Sequence, residues 1–121
     1  MSLDAYRQTQ SRSATPRSTE YRLMNQVTGE LILAKEKGLR GSELMQALHH
    51  NREVWATFRI LCTSPANQLP QHLRASIISL ALWVERYTSD VIRQRDSIDA
   101  LIVVNRAIME GLATENAPQK A

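Results

Sequence analysis

Apolar residues recur at alternating spacings of three and four along four stretches of this chain, the period that gathers side chains on one face of an α-helix. In the first, from Pro16 to about Lys37, the positions are Met24, Val27, Leu31 and Ala34, flanked by Leu23 and Ile32. Thr15 and Pro16 open it as N-cap and first helical residue, because proline loses nothing by lacking an N–H in the first turn. Gly38 suits the left-handed residue that ends a helix. A second stripe, Leu44, Leu48, Asn51, Trp55, Phe58 and Cys62, follows Gly41-Ser42, with Ser42 as the expected N-cap and an end near Thr63.

Two prolines in Ser64-Pro65-Ala66-Asn67-Gln68-Leu69-Pro70 forbid continuous helix there. A third stripe begins at or near Pro70 and runs through Leu73, Ile77, Leu80, Val84, Tyr87 and Val91. Ile78, Leu82 and Trp83 make this segment apolar on a second face, an excess that suits either a central helix or one that faces a partner. Asp96 or Ser97 is the expected cap of a last helix, whose stripe is Ile98, Leu101, Ile102, Asn105, Ile108, Met109 and Leu112.

Four long amphipathic segments with short joints predict an all-α fold, a small antiparallel helical bundle of about four long helices with a short N-terminal helical arm. A chain of 121 residues is the size of one domain. The expected division is an N-terminal arm over 1–15, a single helical domain over 16–113 and a disordered, polar C-terminal tail over 114–121.

Composition narrows the function. The single cysteine, Cys62, rules out an internal disulfide framework and fits a reducing compartment, so a cytoplasmic location is expected. The most apolar run, Ile77 to Val84, is far shorter than the roughly 20 residues a membrane span needs. Net charge is +3, all of it carried by residues 1–40, but Arg7, Arg12, Arg17 and Arg22 are spread too thinly to neutralise a row of phosphates.

Little of the chain suits catalysis. His49 and His50 are adjacent and diverge by about 100° on a helix, and His72 lies beyond the proline break, so no metal site is expected. The glycines at 29, 38, 41 and 111 form no phosphate loop, and no cofactor is expected. The carboxylates Glu85, Asp90, Asp96 and Asp99 suit solvated surface or capping. The expectation is a protein that is not an enzyme and that holds another protein. Polar residues in apolar places then stand out: Asn51 and Asn105 each interrupt a stripe, either as buried amides that fix helix register or as groups that line a groove.

Five segments in order resemble the FlaF family of flagellar biosynthesis regulators: Thr15-Pro16-Arg17-Ser18-Thr19-Glu20, Leu48-His49-His50-Asn51-Arg52-Glu53-Val54-Trp55, Asn67-Gln68-Leu69-Pro70 with Leu73-Arg74-Ala75, Ser79-Leu80-Ala81-Leu82-Trp83-Val84, and Asn105-Arg106-Ala107-Ile108-Met109-Glu110-Gly111-Leu112. The resemblance spans Tyr6 to about Leu112. One departure is Arg59-Ile60-Leu61, where a more acidic stretch is expected.

The resemblance implies a flagellin-binding chaperone that promotes flagellin production and secretion, with flagellin as partner and FlbT as a second, opposing one. It carries no catalytic residues. The alternative it leaves is a post-transcriptional regulator acting on flagellin messenger RNA, directly or through FlbT. Flagellin's terminal segments are amphipathic helices whose apolar face needs cover, and a groove between bundle helices supplies it. The candidate groove residues are Trp55, Ile78, Leu82 and Trp83, with Asn51, Asn105 and Met109 as further partner-binding candidates.

Overall fold

A computed structural model of the protein describes residues 16–116, with side chains over 19–113. The expected arm, 1–15, lies outside the described residues, as does 117–121. Four helices follow one another: α1 (Pro16–Glu36), α2 (Gly41–Thr63), α3 (Gln71–Ile92) and α4 (Asp99–Asn116). The last helix continues past the expected end at Ala113, so 114–116 belong to α4 rather than to a tail. There is no strand among the described residues, and no helix among them is long and apolar enough to cross a membrane.

Neighbouring helices run antiparallel. Lys35 and Thr28 of α1 meet Asp99 and Asn105 of α4, Glu30 of α1 meets His50 of α2, and Arg52 and Cys62 of α2 meet Ser89 and Arg74 of α3. Packing is extensive between α1 and α2, α2 and α3, and α1 and α4, but slight between α3 and α4. The ring is therefore closed on three seams and loose on the fourth.

Helix ends follow from local chemistry. Gly38 has φ +60° and ends α1, with Leu39 N–H bonded to Ala34 O at 2.9 Å and Gly38 N–H to Lys35 O at 3.2 Å. That pair of bonds satisfies carbonyls the last turn would otherwise strand, and glycine takes the left-handed geometry without a Cβ clash. The same closure ends α3 on a residue that does have a Cβ: Gln94 has φ +60°, and Arg95 N–H bonds Asp90 O at 2.9 Å. At the start of α2 the expected cap is displaced. The helix opens at Gly41, also at φ +60°, and the preceding Arg40 makes no side-chain cap bond, so Ser42 lies within the first turn. Ser97 does cap: its Oγ accepts Asp99 N–H at 3.1 Å, from two residues before the start of α4.

Between α2 and α3 the proline loop is pinned from within. Asn67 Oδ1 accepts Leu69 N–H at 2.9 Å, and the Arg74 guanidinium donates to Cys62 O at 3.0 and 3.2 Å and to Ser64 O at 3.3 Å. A cation on the carbonyl end of α2 is favoured by the helix dipole as well as by the bonds.

The core follows the stripes read from the sequence on α1, α2 and α4, with a shift on α3. There the buried residues are Leu73, Ile77, Ala81, Val84, Thr88 and Val91. Leu80 and Tyr87, expected on the stripe, are half-buried at its edge and yield to the smaller Ala81 and Thr88.

Candidate partner-binding surface

The seven candidate residues separate into three groups. Asn51, Trp55 and Asn105 are inside the bundle, at 0%, 1% and 0% exposure, so none offers a partner any surface. Their placement in a groove is corrected: they hold one another. Trp55 Nε1–H donates to Asn105 Oδ1 at 2.9 Å, and Asn105 Nδ2 donates to Asn51 Oδ1 at 2.7 Å and to Thr28 Oγ1 at 3.1 Å. Met109 is half-buried at the edge of this cluster, with its sulfur 3.7 Å from Thr28 Oγ1.

Direction in this network is forced by chemistry. An indole N–H only donates, so the amide oxygen of Asn105 must face Trp55. Its NH₂ then points at Thr28 and Asn51, which obliges Asn51 to present its oxygen. The Asn51 NH₂ is left buried without a hydrogen-bond partner.

Trp83 is the second group. At about 100° per residue it lies roughly 120° from the core-facing line of α3, on the flank toward α4. It stacks on Tyr87 with ring centroids 4.6 Å apart and 21° between planes, and Tyr87 Oη donates to Ser97 O at 2.6 Å. Half-buried and stacked, Trp83 closes the outside of the loose seam.

Ile78 and Leu82, the third group, are on the opposite flank of α3, toward α2. Arg74, Glu85 and Ser89 establish that side, since each meets α2 through a hydrogen bond. Leu82 is 45% exposed and Ile78 half-buried. The antiparallel register that joins Cys62 to Arg74 and Arg52 to Ser89 brings the end of α2 level with Ile78, and there Ile60 is 65% exposed. Leu61 beside it is 43% exposed. A shallow groove of about 240 Å³ lies between the same two helices, lined by Ala56, Ala81 and Val84 together with Arg52, Arg59 and Glu85; Ile60, Ile78 and Leu82 lie outside its lining.

Ile60 was not among the candidates, although its signal was present in the sequence. It falls off the α2 stripe, inside the segment that departs from the family pattern. An apolar residue off the stripe on an otherwise amphipathic helix is where an exposed patch begins.

Charge around the groove is mixed and fixed in part by the fold. The Arg52 guanidinium donates to Glu85 O at 3.1 Å and Ser89 Oγ at 3.0 Å, which ties the rim of α2 to α3. On the far side of α2, His50 Nδ1 lies 2.8 and 2.9 Å from the two Glu30 oxygens, so that nitrogen carries the proton it donates. Nothing in the groove suits nucleophilic chemistry. Cys62 is 1% exposed, and burial first, then the Glu20 carboxylate, push its thiol up to about 11 despite an opposing effect of Arg74. A thiol held neutral in this way is a small core hydrophobe. No group of three or more metal-ligating side chains occurs among the described residues.

A larger cleft, about 740 Å³, separates the α1–α2 joint from the α3–α4 joint at the far end of the bundle, floored by Leu39, Leu44 and Ile98 and edged by Arg40 and Asp96. None of the candidate residues lines this cleft or the groove between α2 and α3.

No curated protein and no solved structure matches the chain. The family described as flagellar protein FlaF matches residues 2–112, nearly the whole length, taking in the first three helices and α4 as far as Leu112. Large aliphatics are exposed on every helix, Leu33 on α1 and Val103 on α4 as well as Ile60, Leu61 and Leu82 on α2 and α3. On the match over nearly its whole length, the chain belongs to the FlaF family of flagellar proteins.

Proposed function

We propose that this protein is a flagellin-binding chaperone that promotes flagellin production and secretion for filament assembly. In this reading it works in the cytoplasm, without catalysis, and covers an amphipathic terminal helix of flagellin with the outer face of α2 and α3. The observation that supports it is the exposure of Ile60 and Leu82 on the outer face of α2 and α3, outside but near a shallow groove lined by the small residues Ala56, Ala81 and Val84. Alanines on the floor let a helix backbone approach, the flanking aliphatics take its apolar side chains, and the charged rim meets its polar shoulders.

Interface energy concentrates in a few anchors, so the loss of a true anchor costs about 2 kcal/mol or more of binding, roughly thirtyfold in affinity. Calorimetry of flagellin binding with Ile60→Ser and Leu82→Ser, beside melting curves of the same variants, tests the reading. The expected result is weakened binding at unchanged melting temperature. Undiminished flagellin binding in both variants overturns it.

The messenger-RNA alternative gains no support from the described residues. Arg7 and Arg12 lie outside them, and on α1 the exposed cations Arg22 and Lys35 are far apart, with Lys35 paired to Asp99 at 2.6 Å.

A further inference from the structure

Apart from Glu20 near the start of α1, the buried polar side chains among the described residues are Thr28 from α1, Asn51 from α2, Thr88 from α3 and Asn105 from α4, at 4%, 0%, 0% and 0% exposure. The register places them in a single layer. Thr28 and Asn51 each bond Asn105, and Thr88 lies on α3 next to Ser89, which meets Arg52, the neighbour of Asn51. By the same register Leu31, Leu48, Val91 and Leu101 fall on one side of the layer, and Met24, Phe58, Ile77 and Ile108 on the other.

The layer costs stability where it is placed. Burying a polar group is unfavourable unless it is paired, and the Asn51 NH₂ is not. An all-apolar layer of matching volume would avoid that penalty. What the polar layer supplies instead is selectivity. An α4 register one turn away, or any other amphipathic helix in that place, would set a methyl or methylene against Trp55 Nε1–H and Asn51 Oδ1 and leave those two groups buried and unpaired, while Thr28 Oγ1, which donates to Met24 O at 2.6 Å, would lose only the bond it accepts from Asn105. Discrimination by stranded polar groups exceeds what apolar shape alone provides.

We propose that this polar layer is a recognition lock by which the bundle admits its own fourth helix and refuses fully apolar amphipathic helices. α4 is the helix that needs such a lock, because its seam with α3 is the loose one and the interior is least guarded there. The layer thus keeps a bound helix on the outer face of the bundle instead of letting it exchange into the core. That consequence rests on the chaperone reading, whereas the lock does not.

The test uses the full-length protein and a synthetic peptide probe, residues 98–114 of this chain carrying Asn105→Leu. A layer variant combining Thr28→Val, Asn51→Leu, Thr88→Val and Asn105→Leu, with Trp55→Phe to remove the stranded indole N–H, is compared with wild type. Circular dichroism checks its folding, and fluorescence anisotropy measures uptake of the labelled peptide. The expected result is a helical layer variant that binds the peptide at least tenfold tighter than wild type. Equal affinity overturns the lock. Should the combined variant not fold, Asn51→Leu alone, which leaves the bonds from Asn105 to Trp55 and Thr28 in place, is expected to bind the peptide several-fold tighter than wild type, and equal affinity there overturns the lock as well. Flagellin binding is not part of either readout, so its failure would count against the chaperone reading alone.

Discussion

Midway along the bundle, Thr28, Asn51, Thr88 and Asn105 sit where apolar side chains are expected; farther along α2 and α3, on their outer face, Ile60 and Leu82 sit where polar ones are expected. Both regions depart from the amphipathic pattern that builds the fold, and they differ in who resolves the departure. Inside, the chain answers itself: Asn105 bonds Trp55, Thr28 and Asn51, so most of the layer is paired within the molecule. Outside, Ile60 keeps 65% of its surface open. Polar groups placed inside are thus explained by the fold, and apolar groups left outside point beyond it.

The contrast is open to direct attack, beginning with the interior. Trp55→Ala removes the largest buried side chain and the donor to Asn105, and is expected to lower stability by about 3–5 kcal/mol in urea unfolding. A loss below about 1 kcal/mol would mean that the interior is not built around this indole. Asn105→Leu strands Trp55 Nε1–H and Asn51 Oδ1 together and is expected to cost about 2–3 kcal/mol, even though leucine is the more apolar residue.

A pH experiment examines the apolar end of the same core. The Cys62 thiol is raised to about 11 from an ordinary value of 9.0, so the folded state favours the neutral form. Its contribution is present in full below pH 9 and is lost as pH rises toward 11, because the unfolded thiol releases its proton first. The expected fall, up to about 2 kcal/mol, should be smaller in Cys62→Ala when urea midpoints are compared across that window.

Gln94→Gly relieves a side chain held at φ +60° and is expected to raise stability by about 0.5–1 kcal/mol, read as an increase in melting temperature. At the small end, Ile60→Ser and Leu82→Ser are expected to change stability by no more than about 0.5 kcal/mol, as exposed positions do. A large loss of stability in either would show that the outer face belongs to the fold after all, and the comparison would fail.

Much of this architecture was legible in the residues. The three-and-four stripes placed all four helices, Gly38 marked the end of α1, and the two prolines marked the α2–α3 joint. On α3 the reading preferred Leu80 and Tyr87 to Ala81 and Thr88, because size suggests burial when neighbouring positions fit the period equally well. Ser42 was a plausible cap by type, but Gly41 at φ +60° sets the chain's entry one residue earlier. For the candidate surface, Ile78, Leu82 and Trp83 follow from the second apolar face of α3, of which Leu82 is exposed and Trp83 half-buried, while Trp55 belongs to the core stripe of α2.

The sequence by itself determined which stretches are helical, which face of each turns inward, and that Asn51 and Asn105 interrupt those faces. Period and composition are local properties, and they survive in a linear string. Only the tertiary structure decided that these two amides meet each other, that Thr28 and Thr88 share their layer, and that Trp55 points in while Ile60 and Leu82 remain out. Those outcomes depend on the relative register of helices joined by short turns, a distance along one axis set by packing and not by the spacing of residues within any single helix.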